Sequence, residues 1–81
     1  MEPVEINAGA WYLRATRPAQ WAADTAYSWD VCEPTSGEPL AEVTADAGTG
    51  EIIARGDCDA AAAGIEAVRR FLLHLVAQPG Q

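Results

Sequence analysis

The clearest pattern in the chain lies between Tyr27 and Gly56. Tyr27, Trp29 and Val31 alternate with Ser28, Asp30 and Cys32, the period of a half-buried strand. Pro34-Thr35-Ser36-Gly37 follows as a turn, because proline presets φ and glycine accepts a positive one. Leu40 to Ala45 is a second strand, with Ala41, Val43 and Ala45 on one face and Glu42 and Thr44 on the other. After the turn from Asp46 to Gly50, Glu51 to Arg55 makes a third strand that Gly56 ends. Connections this short favour an antiparallel meander.

Beyond Gly56 the period becomes helical. Asp57 and Asp59 are good N-cap types, placed where carboxylates suit the positive end of a helix dipole. The spacing predicts a helix from about Ala60 to about Ala77, closed by Pro79-Gly80. Ala61, Ile65, Val68, Leu72, Leu75 and Val76 form one stripe that covers the sheet. Phe71 and Leu73 flank this stripe on opposite sides and widen the apolar surface. Broad apolar surface on a small domain marks an interface, unless the N-terminal strand and Trp21 cover it.

The first 26 residues read less sharply. Val4 and Ile6 begin an alternation that Asn7-Ala8-Gly9 breaks, and Ala10 to Thr16 reads as a strand carrying Trp11-Tyr12. Arg17-Pro18 stops it, and Pro18 to Ala26 suits a short helix bearing Trp21. The expected fold is α+β, one domain over 1–81, with an antiparallel meander of three to four strands and a long C-terminal helix on one face. Its parts are an N-terminal strand and short helix (1–26), the meander (27–56) and the helix (57–78).

Composition narrows the function classes. A chain of 81 residues buries only about 60% of its unfolded surface and gains from a disulfide, a metal or a partner. The opening Met1-Glu2-Pro3-Val4-Glu5 is acidic where a signal peptide would be basic and then apolar. The expectation is therefore a cytoplasmic protein whose Cys32 and Cys58 are reduced, although a single bridge stays open. Twelve acids against five arginines and no lysine give a net charge of −7. That charge repels nucleic acid and anionic membranes, since the arginines are scattered. No apolar run reaches the ~20 residues that span a bilayer. Arginine as the sole strong base, with abundant alanine, suggests a high-GC bacterium.

No catalytic constellation emerges. His74 is the single histidine, set away from the apolar stripe near Arg70 with no serine or cysteine assigned to it. One histidine and scattered carboxylates make no metal site. Glu33, Glu38, Glu42, Asp46 and Glu51 read as a charged solvent face that guards the sheet edge. Gly48-Thr49-Gly50 lacks the lysine and following helix of a phosphate loop. Asp30 and Glu33 would raise the Cys32 thiol pKa rather than activate it. Glu66 and Arg70 are spaced for an i, i+4 pair. No catalytic, cofactor or metal residues are expected.

Three stretches together carry a resemblance: Trp29 to Glu38, Gly50-Glu51-Ile52-Ile53-Ala54, and Gly64-Ile65-Glu66-Ala67-Val68-Arg69-Arg70. In order and spacing, from Tyr27 to Phe71, they resemble the YegP-like family of small bacterial and archaeal domains. The resemblance implies a β-β-β-α fold assembled in pairs, hence a homodimer for a single-copy chain, and no known activity. Gly64 would let the helix approach the sheet closely. A weaker resemblance links Ile6 to Arg14 and Tyr27 to Val43 with GNAT-type N-acetyltransferases. That family holds acetyl-CoA pyrophosphate in a glycine-patterned turn opening a helix, whereas Arg55-Gly56-Asp57-Cys58-Asp59-Ala60 lacks the pattern and carries two carboxylates. The element order also resembles double-stranded-RNA-binding domains, but Asp59 and four alanines replace their basic helix start. The expected role is a dimeric interaction or assembly module without catalysis, with a protein partner and with Phe71, Leu73 and the edge of the sheet, together with Trp11 and Trp21, at its interface. The alternative is a truncated, degenerate acetyltransferase relative.

Overall fold

A computed structural model of the chain describes residues 1–77. Five strands and two helices run β1 (Ile6–Ala8), β2 (Trp11–Thr16), α1 (Pro18–Ala23), β3 (Ala26–Cys32), β4 (Pro39–Asp46), β5 (Ile52–Gly56) and α2 (Cys58–Ala77). The strands form one antiparallel sheet in chain order, β1-β2-β3-β4-β5. The α+β meander with a C-terminal helix is as the sequence predicts, with one or two strands more. The N-terminal strand pairs with β3 of its own sheet, Leu13 opposite Val31 and Ala15 opposite Trp29.

The extra strand is β1. Gly9 takes φ +64° in a two-residue turn between Ala8 and Trp11, a conformation that favours glycine. The residues that interrupt the alternation therefore build a hairpin. Helix α1 is shorter than expected because Asp24 adopts a left-handed φ of 55° and its N–H returns to the last turn of the helix. Pro79-Gly80, the expected end of α2, lies outside the described residues.

The core lies between the sheet and α2. Leu13, Tyr27, Trp29, Val31, Ala41, Val43 and Ala45 point into it from the strands, and Ala60, Ala67 and Val68 from the helix. The buried face of α2 is thus rotated from the predicted stripe. It approaches the sheet on its smallest residues, with Gly64 directly over Val43 and Val31, while Ala61, Ile65, Leu72 and Leu75 are only half-buried. Trp21, wholly buried, wedges into one end of the core. Its ring meets Trp29 at 5.0 Å and Tyr27 at 4.8 Å, and Phe71 closes the cluster 5.5 Å from Trp29. Both buried indoles have carbonyl acceptors: Trp21 Nε1 donates to Thr16 at 2.9 Å and Trp29 Nε1 to Val4 at 2.7 Å. The sheet's other, more open face is bordered by α1, whose Gln20 shares a recess with Arg17, Glu42, Thr44, Ile53 and Arg55.

Candidate functional site

The register of the sheet sorts its outward residues into rows. Arg14 lies opposite Asp30, Asp30 opposite Glu42, and Glu42 opposite Arg55. Arg14 reaches the Asp30 carboxylate at 3.4 Å, and Arg17 closes on Glu42 at 2.8 Å. Arg17 does so from a left-handed backbone, φ 53°, as the N-cap of α1. Two carboxylates that adjoin each other across β3 and β4 are therefore each matched by an arginine. That arrangement suits an ion-pair lattice rather than an acid–base couple. A second row runs Thr16, Ser28, Thr44 and Ile53. Ser28 is buried, donating to the Thr16 carbonyl at 3.0 Å while its Oγ accepts from the Thr16 hydroxyl.

Ile53 ends that row on an edge strand and is 55% exposed; Leu73 is 61% exposed. These are the exposed large hydrophobics among the described residues. They sit on the two faces of one edge. Ile53 projects from β5 toward the open face, while Leu73, with Arg69, Leu72, Ile52 and Gly50, lines a shallow recess of about 250 Å³ on the helix side. The opposite edge, β1, is three residues long and follows Pro3, features that blunt an edge.

The four residues expected at an interface fare differently. Leu73 is at the surface and adjoins the β5 edge. Phe71 is half-buried and packs into the tryptophan cluster, so the N-terminal elements cover much of it. Trp11 is half-buried on β2 against the core. Trp21 is 0% exposed and offers no surface to a partner, because Pro18 starts the helix that turns its ring inward. The sequence does not single out Ile53, which reads there like Ile52. Its neighbours at i−2 and i+2, Glu51 and Arg55, are the available sign that it faces outward.

The chemistry-bearing residues stay apart. Cys32 is buried in the sheet and Cys58 exposed at the start of α2, both as free thiols. Burial raises the Cys32 thiol pKa; Arg14 opposes this and Asp30 adds to it. His74 is exposed on α2 and, with Arg70 and Phe71, borders a groove of about 440 Å³ whose other wall is Ile6 to Gly9. Glu66 pairs with Arg69 at 3.4 Å rather than with Arg70, the i, i+3 partner lying closer. Asp46 belongs to its turn: its Oδ1 accepts from the Gly48 and Thr49 N–H groups at 2.8 and 2.9 Å. Those bonds, Thr49 first, hold its carboxyl below the usual carboxylate range. At the start of α2, Asp57 Oδ2 accepts the Ala60 N–H at 3.0 Å. Among the described residues no three His, Cys, Asp or Glu side chains gather as metal ligands, and no helix is long and apolar enough to cross a membrane. Compared with protein-family models, curated proteins and solved structures, the chain matches none of them.

Proposed function

We propose that this domain is a small interaction and assembly module without catalytic activity, which works as a homodimer. The observation that carries the reading is the clustering of exposed apolar side chains, Ile53 and Leu73, on both faces of the unpaired β5 edge. An exposed strand edge is a ready template for another chain, and the nearby apolar recess supplies area that water disfavours. Phe71 packs into the aromatic cluster of Trp21, Tyr27 and Trp29 rather than meeting the partner, and Trp11 and Trp21 lie away from this surface. The reading fits a cytoplasmic, reduced protein, since neither thiol is needed for association.

Light scattering on a size-exclusion column, at two concentrations and with and without reductant, tests it. A dimer mass that reductant leaves unchanged is expected, with Leu73→Asp shifting the mass toward a monomer. A wild-type monomer at both concentrations defeats the proposal.

A second reading, a degenerate acetyltransferase relative, draws on β5 running straight into the N-terminus of α2, where that family holds pyrophosphate. Asp57 already occupies the Ala60 N–H there, and Asp59 adds a second carboxylate in the first turn. Calorimetric titration with acetyl-CoA separates the two: binding heat favours this second reading, and its absence favours the module.

A further inference from the structure

We infer that the partner is a second copy of this chain, docked through β5 on a two-fold axis at Ile53, so that the two sheets join into one. The inference rests on the homodimer reading above and adds to it the strand that forms the seam and its register. Strand β5 is self-complementary in this arrangement. Glu51, Ile53 and Arg55 share the open face, since side chains two apart in a strand point the same way. An antiparallel copy centred on Ile53 places Ile53 against its equivalent, Glu51 against the partner's Arg55, and Arg55 against the partner's Glu51. Arg55 makes no ion pair among the described residues, so it is available for that role. Moving the axis one residue, to Ala54, would instead set Glu51 against the partner's Asp57, and like charges directly opposed destabilise a pair.

Backbone parity agrees with the Ile53 axis. The Asp46 N–H donates to the Glu51 carbonyl, and the Asp57 N–H to the Leu40 carbonyl, each at 2.9 Å. Glu51, Ile53, Arg55 and Asp57 therefore turn their backbone groups toward β4. Ile52 and Ala54 turn theirs outward, to the free edge. With Ile53 on the axis, Ile52 faces the partner's Ala54, and each such pair exchanges two N–H···O bonds. Ile53 and its equivalent then form the non-hydrogen-bonded pair, in which side chains approach most closely.

Helix spacing agrees as well. Helix α2 lies over β4 and β5, so two strand spacings of about 4.8 Å would separate it from its copy. The resulting ~10 Å is at the upper end of ordinary helix packing distances. Glu66, Arg69 and Leu73 recur on the flank of α2 that would face the copy, offering both charge signs beside the apolar side chain.

The test combines charge reversal with a cysteine on the axis. At 0.15 M salt, where the repulsion between the net charges is screened, Glu51→Arg should raise the dimer dissociation constant about tenfold or more, because it sets like charges opposite each other; the double variant Glu51→Arg/Arg55→Glu should restore it. In a Cys58→Ser background, which removes the exposed native thiol, Ile53→Cys should form a reducible intermolecular disulfide under mild oxidation. Circular dichroism checks that each variant stays folded. If the wild type dimerises but Glu51→Arg has no effect and the Ile53→Cys link fails to form, the register is wrong while the assembly reading stands. If the wild type is monomeric, both fall.

Discussion

Gly64 separates two physical effects of opposite sign, so its replacement is informative. In a helix interior, glycine to alanine stabilises by about 1 kcal/mol through backbone entropy alone. At position 64, however, a Cβ would sit 2.5 Å from Val43 Cγ2 and 2.8 Å from Val31 Cγ2. Both valines are 0% exposed in the core and stiff about χ1, so they have little room to turn aside. Overpacking of this kind costs about 1–3 kcal/mol. Gly64→Ala should therefore destabilise the domain by up to about 2 kcal/mol, the overpacking cost less the entropic gain. For a domain of this size that lowers Tm by up to roughly 10 °C.

Urea and thermal unfolding of Gly64→Ala measure the net effect, with Ala62→Gly on the exposed side of α2 as a gauge of helix propensity alone. Ala62→Gly should cost about 1 kcal/mol. Val43→Ala supplies the second arm of a double-mutant cycle, since it removes the methyl that the new Cβ meets. The double variant should be less destabilised than the sum of its parts, by about 0.5–3 kcal/mol. A rise in Tm for Gly64→Ala, or strict additivity with Val43→Ala, would refute the close approach of helix and sheet.

Other substitutions probe other joints of the fold. Trp29→Phe loses the donor to the Val4 carbonyl, which anchors the N-terminal segment, and should cost about 1–3 kcal/mol in urea unfolding; a cost near zero would mean that the anchor is not maintained in solution. Trp21→Ala empties the centre of the aromatic cluster and should cost about 3–5 kcal/mol, a large share of a small domain's stability, visible as an early loss of near-ultraviolet circular dichroism. Asp46→Asn tests pH linkage. The folded carboxyl titrates below its ordinary value, so its contribution is complete above the unfolded pKa near about 4 and disappears as pH falls through the folded one. The stability gap between wild type and Asp46→Asn should be constant near neutrality and close in acid; a gap that persists in acid would contradict it.

The elements most legible in the sequence are those with one dry and one wet face. Ala41, Val43 and Ala45 against Glu42 and Thr44 define the side of β4 as well as its existence, and the pairing register bears this out. Three features are hidden for identifiable reasons. Strand β1 spans three residues, too few for a period to declare itself, and its turn glycine looks like an interruption. The buried face of α2 is built on Ala60, Gly64 and Ala67, side chains too small to register as a stripe. The larger Ile65, Leu72 and Leu75 therefore draw the predicted face to one side. Trp21 is buried by the placement of a short helix between left-handed residues, which no periodicity records. The outward Ile53 can be told from Ile52 only through its neighbours in alternation, and the exposed edge only through the order of the strands.

Charge sets a further condition on self-association. Each copy carries a net charge of −7, so two copies repel as they approach. With charge centres roughly 25 Å apart, that repulsion is about 8 kcal/mol in unscreened water. Screening reduces it to about 3–4 kcal/mol at 0.01 M ionic strength and to a few tenths at 0.15 M. The two Glu51–Arg55 pairs across the seam are exposed and are worth about 0.2–1 kcal/mol each; salt weakens them too, but from a smaller starting value. The net repulsion therefore decides the sign of the salt dependence. The dimer should tighten by about 2 kcal/mol between 0.01 and 0.15 M salt, roughly thirtyfold in the dissociation constant. Sedimentation equilibrium at the two ionic strengths reads this directly. A dimer that loosens as salt is added would mean that attraction between opposite charges holds it together, and the apolar edge formed by Ile53 and Leu73 would lose its place as the driving surface.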